Sequence, residues 1–251
     1  MTDKILTIDI GNSNINIGLF KEDTIRTLNL GTRPLKDRAF YEGVLSEFLG
    51  DDQPAGGVMS SVVPSHDGLF YELLKAFSGE DPVVVTHSIN TGLIFDVAEP
   101  EGIGADRIAN AVAACSRING SLVVVDLGTA TTITVVDRER RLCGGVIMPG
   151  VEMMCVALNR QTGKLPLVMP VFLPGPLGKD TKSSIISGVV YGTAGAVDRL
   201  LDEMSVMLGE IRTVLTGGNA PLIKGLLKRE YIYIPELTLT GLRIIFEKNR
   251  G

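Results

Sequence analysis

The sequence has 251 residues, of which 45% are hydrophobic and 21% are charged, and its net charge is −5. This composition is typical of a globular protein, and without a long run of Lys or Arg it argues against nucleic acid as a partner. No apolar stretch reaches the roughly 18 to 20 residues that a membrane span needs. Because the first residues run directly into a predicted strand rather than a signal peptide, we expect a cytoplasmic protein.

Cysteine and histidine are too sparse to suggest a site of their own. The three cysteines, Cys115, Cys143 and Cys155, have no CxxC spacing. We interpret them as reduced, buried thiols. His66 and His87 are the only histidines in the sequence. A histidine-based triad or zinc site is therefore not expected.

The chain opens with a predicted β-hairpin that has a polar turn. The apolar run 5–10 is typical of a strand buried on both faces. Asp9 places a carboxylate near its end, where a hard cation and its waters can be held. Gly11 permits a tight turn, and residues 12–14 supply small hydrogen-bond donors for an anion. The alternative is an ordinary hairpin with a polar tip.

Helices and strands alternate through the rest of the first half. Apolar spacing predicts helices over 37–49, 67–77 and 106–118, and strands over 56–63 and 83–86.

The opening pattern recurs half a chain later. Residues 122–127 form a second apolar run that contains Asp126, and Gly128 follows it as Gly11 follows the first run. Thr129 and a further predicted strand to residue 136 complete the copy. Two such hairpins indicate a duplicated domain with a two-lobed nucleotide site.

The second half then continues as a mixed α/β pattern. We predict a strand over 142–147, a helix over 181–208 with an interruption near 188–195, a strand over 212–216, a helix near 221–228, and a strand with a short helix within 231–247. The predicted fold is α/β, with mixed sheets covered by helices and two domains, 1–118 and 119–251.

Three further segments lie at predicted helix starts or after a predicted strand. At the start of the helix over 106–118, Arg107 could bind a carboxylate and Asp106 could accept a proton from a hydroxyl. The alternative is an N-capping Asp beside a solvent-exposed Arg. Thr181 is interpreted from spacing as the cap of the following helix. The segment 216–219 follows a strand and would let the backbone approach a flat ligand such as adenine.

Taken in order, these motifs resemble type III pantothenate kinases, which belong to the actin/Hsp70/sugar-kinase ATPase superfamily. The motifs that carry the resemblance are 9–14, 60–64, 104–108, 126–132, 144–150, 164–166, 187–188 and 191–192. The resemblance implies two similar lobes of actin-like ATPase (ribonuclease H-like) type. It also implies a phosphotransferase that uses ATP to phosphorylate pantothenate at its primary hydroxyl, the first step toward coenzyme A.

The resemblance also implies roles for individual residues. The ATP-binding residues would be Asp9, Ile10, Gly11, Asn12, Ser13, Asn14, Ile15, Asn16 and Thr129. The substrate-binding residues would be Gly104, Ala105, Asp106, Arg107 and Thr181, with Asp106 as the base and Arg107 facing the pantothenate carboxylate. Asp126 would bind a monovalent cation, K⁺ or NH₄⁺, while Mg²⁺ accompanies ATP. The resemblance further implies a homodimer.

Two departures from the family pattern keep alternatives open. Ser13 stands where the family usually has Thr, which preserves the hydroxyl. Val97 stands where a Tyr lining the pantothenate pocket is expected. Val97 is the support for one alternative, a kinase for another small alcohol. A second alternative is a non-catalytic regulatory paralogue with the same fold.

Overall fold

The computed structural model describes residues 4–250, which form two compact units. The first unit ends at Arg117 and includes the chain again from Glu236, and the second comprises Ile118–Pro235. Within the described residues, no helix is long and apolar enough to cross a membrane.

The first unit is built on a mixed sheet. Its elements are β1 (Ile5–Ile10), β2 (Asn14–Lys21), β3 (Thr24–Gly31), α1 (Arg38–Leu49), β4 (Gly56–Ser61), α2 (Pro64–Ser78), β5 (Val83–Val84), β6 (Ile94–Phe95) and α3 (Ala105–Arg117). The strand order is β3-β2-β1-β4-β5. The β1–β2 and β2–β3 pairs are antiparallel, whereas β1–β4 and β4–β5 are parallel.

Strand β1 is central because all six of its residues are buried. Leu6, Ile8 and Ile10 point into the core beneath α1 and α2. Ile5 points into the opposite core, which α3 helps to form. Because side chains alternate along a strand, Asp9 lies on the same face as Ile5 and therefore on the side of α3.

The second unit repeats this arrangement. Its elements are β7 (Leu122–Leu127), β8 (Ala130–Val136), β9 (Arg141–Pro149), α4 (Val151–Gln161), α5 (Thr181–Leu208), β10 (Arg212–Thr216), α6 (Ala220–Ile223) and β11 (Ile232–Tyr233). Its strands lie in the order β9-β8-β7-β10-β11. The β7–β8 and β8–β9 pairs are antiparallel, and β7–β10 and β10–β11 are parallel. The order and directions match those of the first unit, so the predicted duplication of an α/β lobe is confirmed.

The last helix belongs to the first unit rather than to the second. Helix α7 (Leu237–Asn249) packs against α3, and a Cβ on Gly241 would overlap the backbone of Ala109. Thr238 also donates a hydrogen bond to Asn110 Oδ1 at 2.8 Å. The predicted second domain, 119–251, therefore differs from the compact unit, because this long-range packing leaves no local signal in the sequence.

Two details of the second half also differ from prediction. Helix α5 runs without the predicted interruption near 188–195, because Ile185, Val189, Ala194 and Val197 anchor it in the core while the glycines face outward. The helix predicted near 221–228 is shorter, since α6 passes into a 3₁₀ turn at Lys224–Leu226.

Candidate active site

The first hairpin forms a tight turn with an exposed tip. The Gly11 N–H donates to the Asn14 carbonyl at 2.9 Å, and a Cβ on Gly11 would lie 3.1 Å from that same oxygen. Residues 12–14 are exposed. The turn is therefore compact at its base and exposed at its tip, and the binding of an anion there stays a prediction.

A buried threonine fixes this turn from behind. The Thr32 N–H donates to the Ser13 carbonyl at 3.0 Å, and the Thr32 hydroxyl donates to the Gly11 carbonyl at 2.7 Å. The Thr32 carbonyl in turn lies 3.0 Å from Nε2 of the buried His66. Thr32 and His66 were missed by sequence reasoning, because a polar residue 20 positions beyond a turn carries no local signal.

Asp9 is 8% exposed, and each oxygen of its carboxylate accepts one hydrogen bond. Ser60 Oγ donates to Oδ1 at 2.7 Å, and Asn16 Nδ2 donates to Oδ2 at 3.3 Å. The pKa of Asp9 is raised to about 6, mainly by burial and then by the negative charge of Asp106, whereas the two hydrogen bonds oppose that shift. The first unit thus brings two carboxylates close together.

Helix α3 begins at the second of these carboxylates. Asp106 is the second residue of the helix rather than its N-cap, and its Oδ1 accepts the Arg107 N–H at 2.8 Å. A Cβ on Gly104 would overlap that carboxylate oxygen. Gly104 is therefore the residue that makes room for Asp106, and the N-capping alternative does not describe this aspartate.

The environment of this pair shifts both of its pKa values. Partial burial raises the pKa of Asp106, although the N–H and the positive charge of Arg107 oppose the shift. Partial burial also lowers the pKa of the Arg107 guanidinium, and the Asp106 charge opposes that change. A carboxylate with a raised pKa beside a cation is a suitable proton acceptor and anion-binding pair.

The second hairpin has a similar turn, at which Asp126 meets two glycines. The Gly128 N–H donates to the Ala130 carbonyl at 3.1 Å, the counterpart of the bond at Gly11. A Cβ on Gly217 would lie 2.5 Å from Asp126 Oδ1, and one on Gly128 would lie 3.4 Å from it. Gly217 also has a φ of +96°, which glycine adopts without strain. Side chains at positions 128 and 217 would therefore crowd the Asp126 carboxylate, and the two glycines leave it in place.

The neighbouring backbone encloses the same turn. The Asn219 N–H donates to the Leu127 carbonyl at 2.8 Å, and its Nδ2 donates to the Gly128 carbonyl at 3.2 Å. Thr129 is exposed, and its carbonyl accepts the Gly150 N–H at 3.2 Å. The segment 216–219, predicted to approach a flat ligand, therefore supports the Asp126 turn, and its role toward adenine stays a prediction.

Thr181 is not the cap of α5, which corrects the sequence interpretation. The N-cap is Asp180, whose Oδ1 accepts the Ser183 N–H at 2.9 Å, while Ser183 Oγ accepts the Asp180 N–H at 3.1 Å. Thr181 is the exposed first residue of the helix. This position leaves its side chain at the surface of the second unit.

The three cysteines are reduced thiols, and Cys115 and Cys155 are buried as predicted. Cys143 is only partly buried, because β9 places it near the edge of the core. Across residues 4–250, no group of three or more His, Cys, Asp or Glu side chains could hold a metal ion. A cation at Asp126 would therefore need oxygen ligands other than clustered carboxylates.

Comparison with known proteins identifies the family. A family model described as type III pantothenate kinase matches residues 5–203. The chain belongs to the type III pantothenate kinase family. Type III pantothenate kinases from Exiguobacterium sp. (strain ATCC BAA-1283 / AT1b) and Roseiflexus sp. (strain RS-1) are 36% and 38% identical to it. These matches cover 98% of this chain and 99% or 100% of the relatives.

Solved structures extend the comparison to the fold. The ethanolamine utilization protein EutJ from Carboxydothermus hydrogenoformans matches 96% of this chain and 89% of its own, with a TM-score of 0.54 and 14% identity. An inorganic polyphosphate/ATP-glucomannokinase from Arthrobacter sp. strain KM matches 98% of both chains, with a TM-score of 0.51 and 14% identity. The predicted actin-like ATPase fold of this type III pantothenate kinase family member is confirmed.

Proposed function

We propose that this protein uses ATP to phosphorylate pantothenate at its primary hydroxyl, the first step toward coenzyme A. The observation that carries the proposal is the Asp106–Arg107 pair at the start of α3, in a chain that belongs to the type III pantothenate kinase family. A kinase that acts on a hydroxy acid needs a proton acceptor for the hydroxyl and a cation for the carboxylate. This pair supplies both.

The first unit is proposed to bind the ATP phosphates through residues 9–16. The exposed residues 12–14 at the tip of the turn offer small polar side chains, which suit a phosphate. Mg²⁺ would accompany ATP, and the buried Asp9 carboxylate would face the metal and its waters. Charge neutralisation by metal and backbone dipoles is the main source of catalysis in phosphoryl transfer.

The acceptor is proposed to bind at residues 104–107. Arg107 would hold the pantothenate carboxylate through a bidentate ion pair. Asp106 would accept the proton as the hydroxyl oxygen attacks the γ-phosphorus and the bond to the β–γ bridging oxygen breaks, releasing ADP. Burial raises the pKa of Asp106, which makes the carboxylate a better base.

Asp126 is proposed to bind K⁺ or NH₄⁺, and Thr129 is proposed as a further ATP-binding residue. The turn suits a monovalent cation because Asp126 Oδ1 supplies an oxygen ligand and the adjacent Gly128 and Gly217 have no side chains that could exclude the ion. A bound cation would partly neutralise the negative charge of the ATP phosphates. The chain's own part is to hold the carboxylate in place.

Thr181 is proposed to contact the substrate, and the protein is proposed to be a homodimer. Exposed apolar side chains on the second unit support the proposed dimer, because such side chains are commonly covered by a partner. They belong to Leu167, Met169, Phe172 and Leu177. A cytoplasmic location is also proposed, and the reduced state of the three cysteines supports it.

One observation favours a second candidate function. Val97 stands where the family resemblance leads us to expect a Tyr, so the alternative acceptor is another small alcohol. A non-catalytic regulatory role is less well supported, since Asp9, Asp106 and Asp126 are all present.

A coupled assay tests these functions. Purified protein is incubated with ATP, Mg²⁺ and K⁺, and ADP release is measured with and without pantothenate. We expect ADP release to depend on pantothenate. ATP binding without pantothenate-dependent turnover would contradict the proposal, and turnover with another small alcohol would favour the second candidate.

A further inference from the structure

Asp9 is one member of a polar row that crosses four strands. Asn29 in β3 pairs with Asn16 in β2, Asn16 pairs with Asp9 in β1, and Asp9 pairs with Ser60 in β4. Directly paired residues project from the same face of a sheet. All four side chains therefore lie on the α3 side, within a sheet whose opposite face is apolar.

Hydrogen bonds connect the row from its exposed end to its buried end. Asn29 Nδ2 donates to Asn16 Oδ1 at 2.6 Å, and Asn16 Nδ2 donates to Asp9 Oδ2 at 3.3 Å. Ser60 Oγ donates to Asp9 Oδ1 at 2.7 Å. Asn29 is exposed, whereas Ser60 is fully buried. The two carboxylate oxygens are thus held from opposite sides.

Asn29, at the exposed end of the row, determines which way the side-chain amide of Asn16 is turned. A side-chain amide can be turned either way, and its hydrogen-bond partners decide which end is oxygen. Because Asn29 donates to Asn16 Oδ1, the NH₂ group of Asn16 must face Asp9. If Asn16 turned over, its oxygen would face a carboxylate oxygen and the contact would become repulsive.

We propose that Ser60 and Asn29 are positioning residues for ATP binding, Ser60 by holding Asp9 directly and Asn29 by orienting Asn16 toward it. The proposal rests on the proposed function, in which Asp9 faces the metal and phosphates of ATP. Residues that orient a charged ligand group by hydrogen bonding commonly affect affinity as strongly as some direct contacts.

The sharpest test exchanges the donor at position 29 for an acceptor. In Asn29→Asp the new carboxylate attracts the NH₂ group of Asn16, which turns its oxygen toward Asp9. We expect the KM for ATP to rise about 5-fold, while kcat and the KM for pantothenate change less than about 2-fold. Ser60→Ala should raise the KM for ATP about 10-fold.

A matched control separates orientation from charge. Thr27 is also exposed and lies two residues from Asn29 on the same face of β3. Thr27→Asp adds the same charge without a route to Asn16, so the KM for ATP should stay unchanged. In an Asn16→Ala background, Asn29→Asp should have no further effect. An equal effect of the two Asp substitutions, or a full effect of Asn29→Asp without Asn16, would overturn the inference.

Calorimetric binding of ATP with Mg²⁺ distinguishes this inference from the proposed function. Asp9→Ala should abolish binding, and retained binding would refute the proposed role of Asp9 and the inference with it. If Asp9→Ala abolishes binding but Ser60→Ala and Asn29→Asp leave it unchanged, the inference alone is refuted. Should Ser60→Ala fail to fold, the exposed Asn29 series decides the question.

Discussion

Gly104 and Asp106 are in such close contact that a Cβ on the glycine would overlap Oδ1 of the aspartate. The carboxylate bends back over the start of α3 to accept the Arg107 N–H. The missing side chain at position 104 therefore fixes where the proposed base lies.

Gly104→Ala should reduce activity without unfolding the protein. Its methyl group displaces the Asp106 carboxylate, and a misplaced general base loses much of the roughly 10²- to 10⁴-fold that such a group contributes. We expect kcat to fall at least 10-fold while ATP affinity changes little. The matched control is Gly102→Ala, whose Cβ would meet only Glu99 Cβ at 4.0 Å. Equal kcat values for the two variants would contradict this account of Gly104.

Gly217→Ala should weaken activation by K⁺. The methyl group would lie 2.5 Å from both Asp126 Oδ1 and the Leu127 backbone N, so the carboxylate and the end of β7 that carries it would both have to shift. We expect the K⁺ concentration for half-maximal activity to rise at least 5-fold. Gly209→Ala controls for backbone strain, because Gly209 has a φ of +77° but no atom within 4 Å of its Cβ position. If Gly209→Ala has the same effect, strain and not the Asp126 contact is responsible.

Thr32→Val should loosen the turn at 11–13. The substitution removes the hydroxyl that donates to the Gly11 carbonyl, and a hydrogen bond of this kind contributes about 1 kcal/mol. The KM for ATP should rise about 3- to 10-fold. Thr24→Val removes a similar bond, to the Lys21 carbonyl at 2.8 Å, at the other end of the β2–β3 hairpin. A steady-state comparison in which both variants keep the original KM would show that the turn does not depend on Thr32.

Asp9→Asn should stabilise the folded protein near neutral pH. The pKa of Asp9 is about 6 in the folded state, above its usual value of 3.8, so folding favours the protonated form. Protonation of Asp9 therefore stabilises the folded protein fully below pH 3.8, and this stabilisation is lost as the pH rises through 6. Ionised Asp9 thus costs up to about 3 kcal/mol at pH 7.5. Urea denaturation should show a gain of about 2–3 kcal/mol for Asp9→Asn at pH 7.5 and almost none at pH 4. A gain independent of pH would contradict this linkage.

The sequence predicts the repeated architecture well, because local patterns encode it. Mostly apolar runs ending in Asp-x-Gly identify β1 and β7, and the order of the neighbouring strands within each unit is the same. The apolar run of β1 cannot reveal which face carries Asp9, since both faces are buried. Its proximity to Asp106 comes from the packing of α3, which depends on distant contacts with α7.

The supporting residues of the site are less predictable for a similar reason. Ser60 and Thr32 contact the first hairpin only because β4 pairs with β1 and the chain after β3 returns to the turn. Thr181 shows the opposite error, since spacing suggested a cap that Asp180 provides. Local signals therefore locate the turns and strand ends, whereas hydrogen bonds between distant segments determine how each side chain is held.

The most direct test of the central claim is the rate of pantothenate phosphorylation by Asp106→Asn with saturating ATP, Mg²⁺ and K⁺. Asparagine keeps the size of the side chain but cannot accept the proton as a carboxylate does. We predict that kcat falls by about 10²- to 10⁴-fold, with calorimetric ATP binding unchanged. Phosphorylation by Asp106→Asn at the rate of the unmodified protein would contradict the assignment of Asp106 as the base.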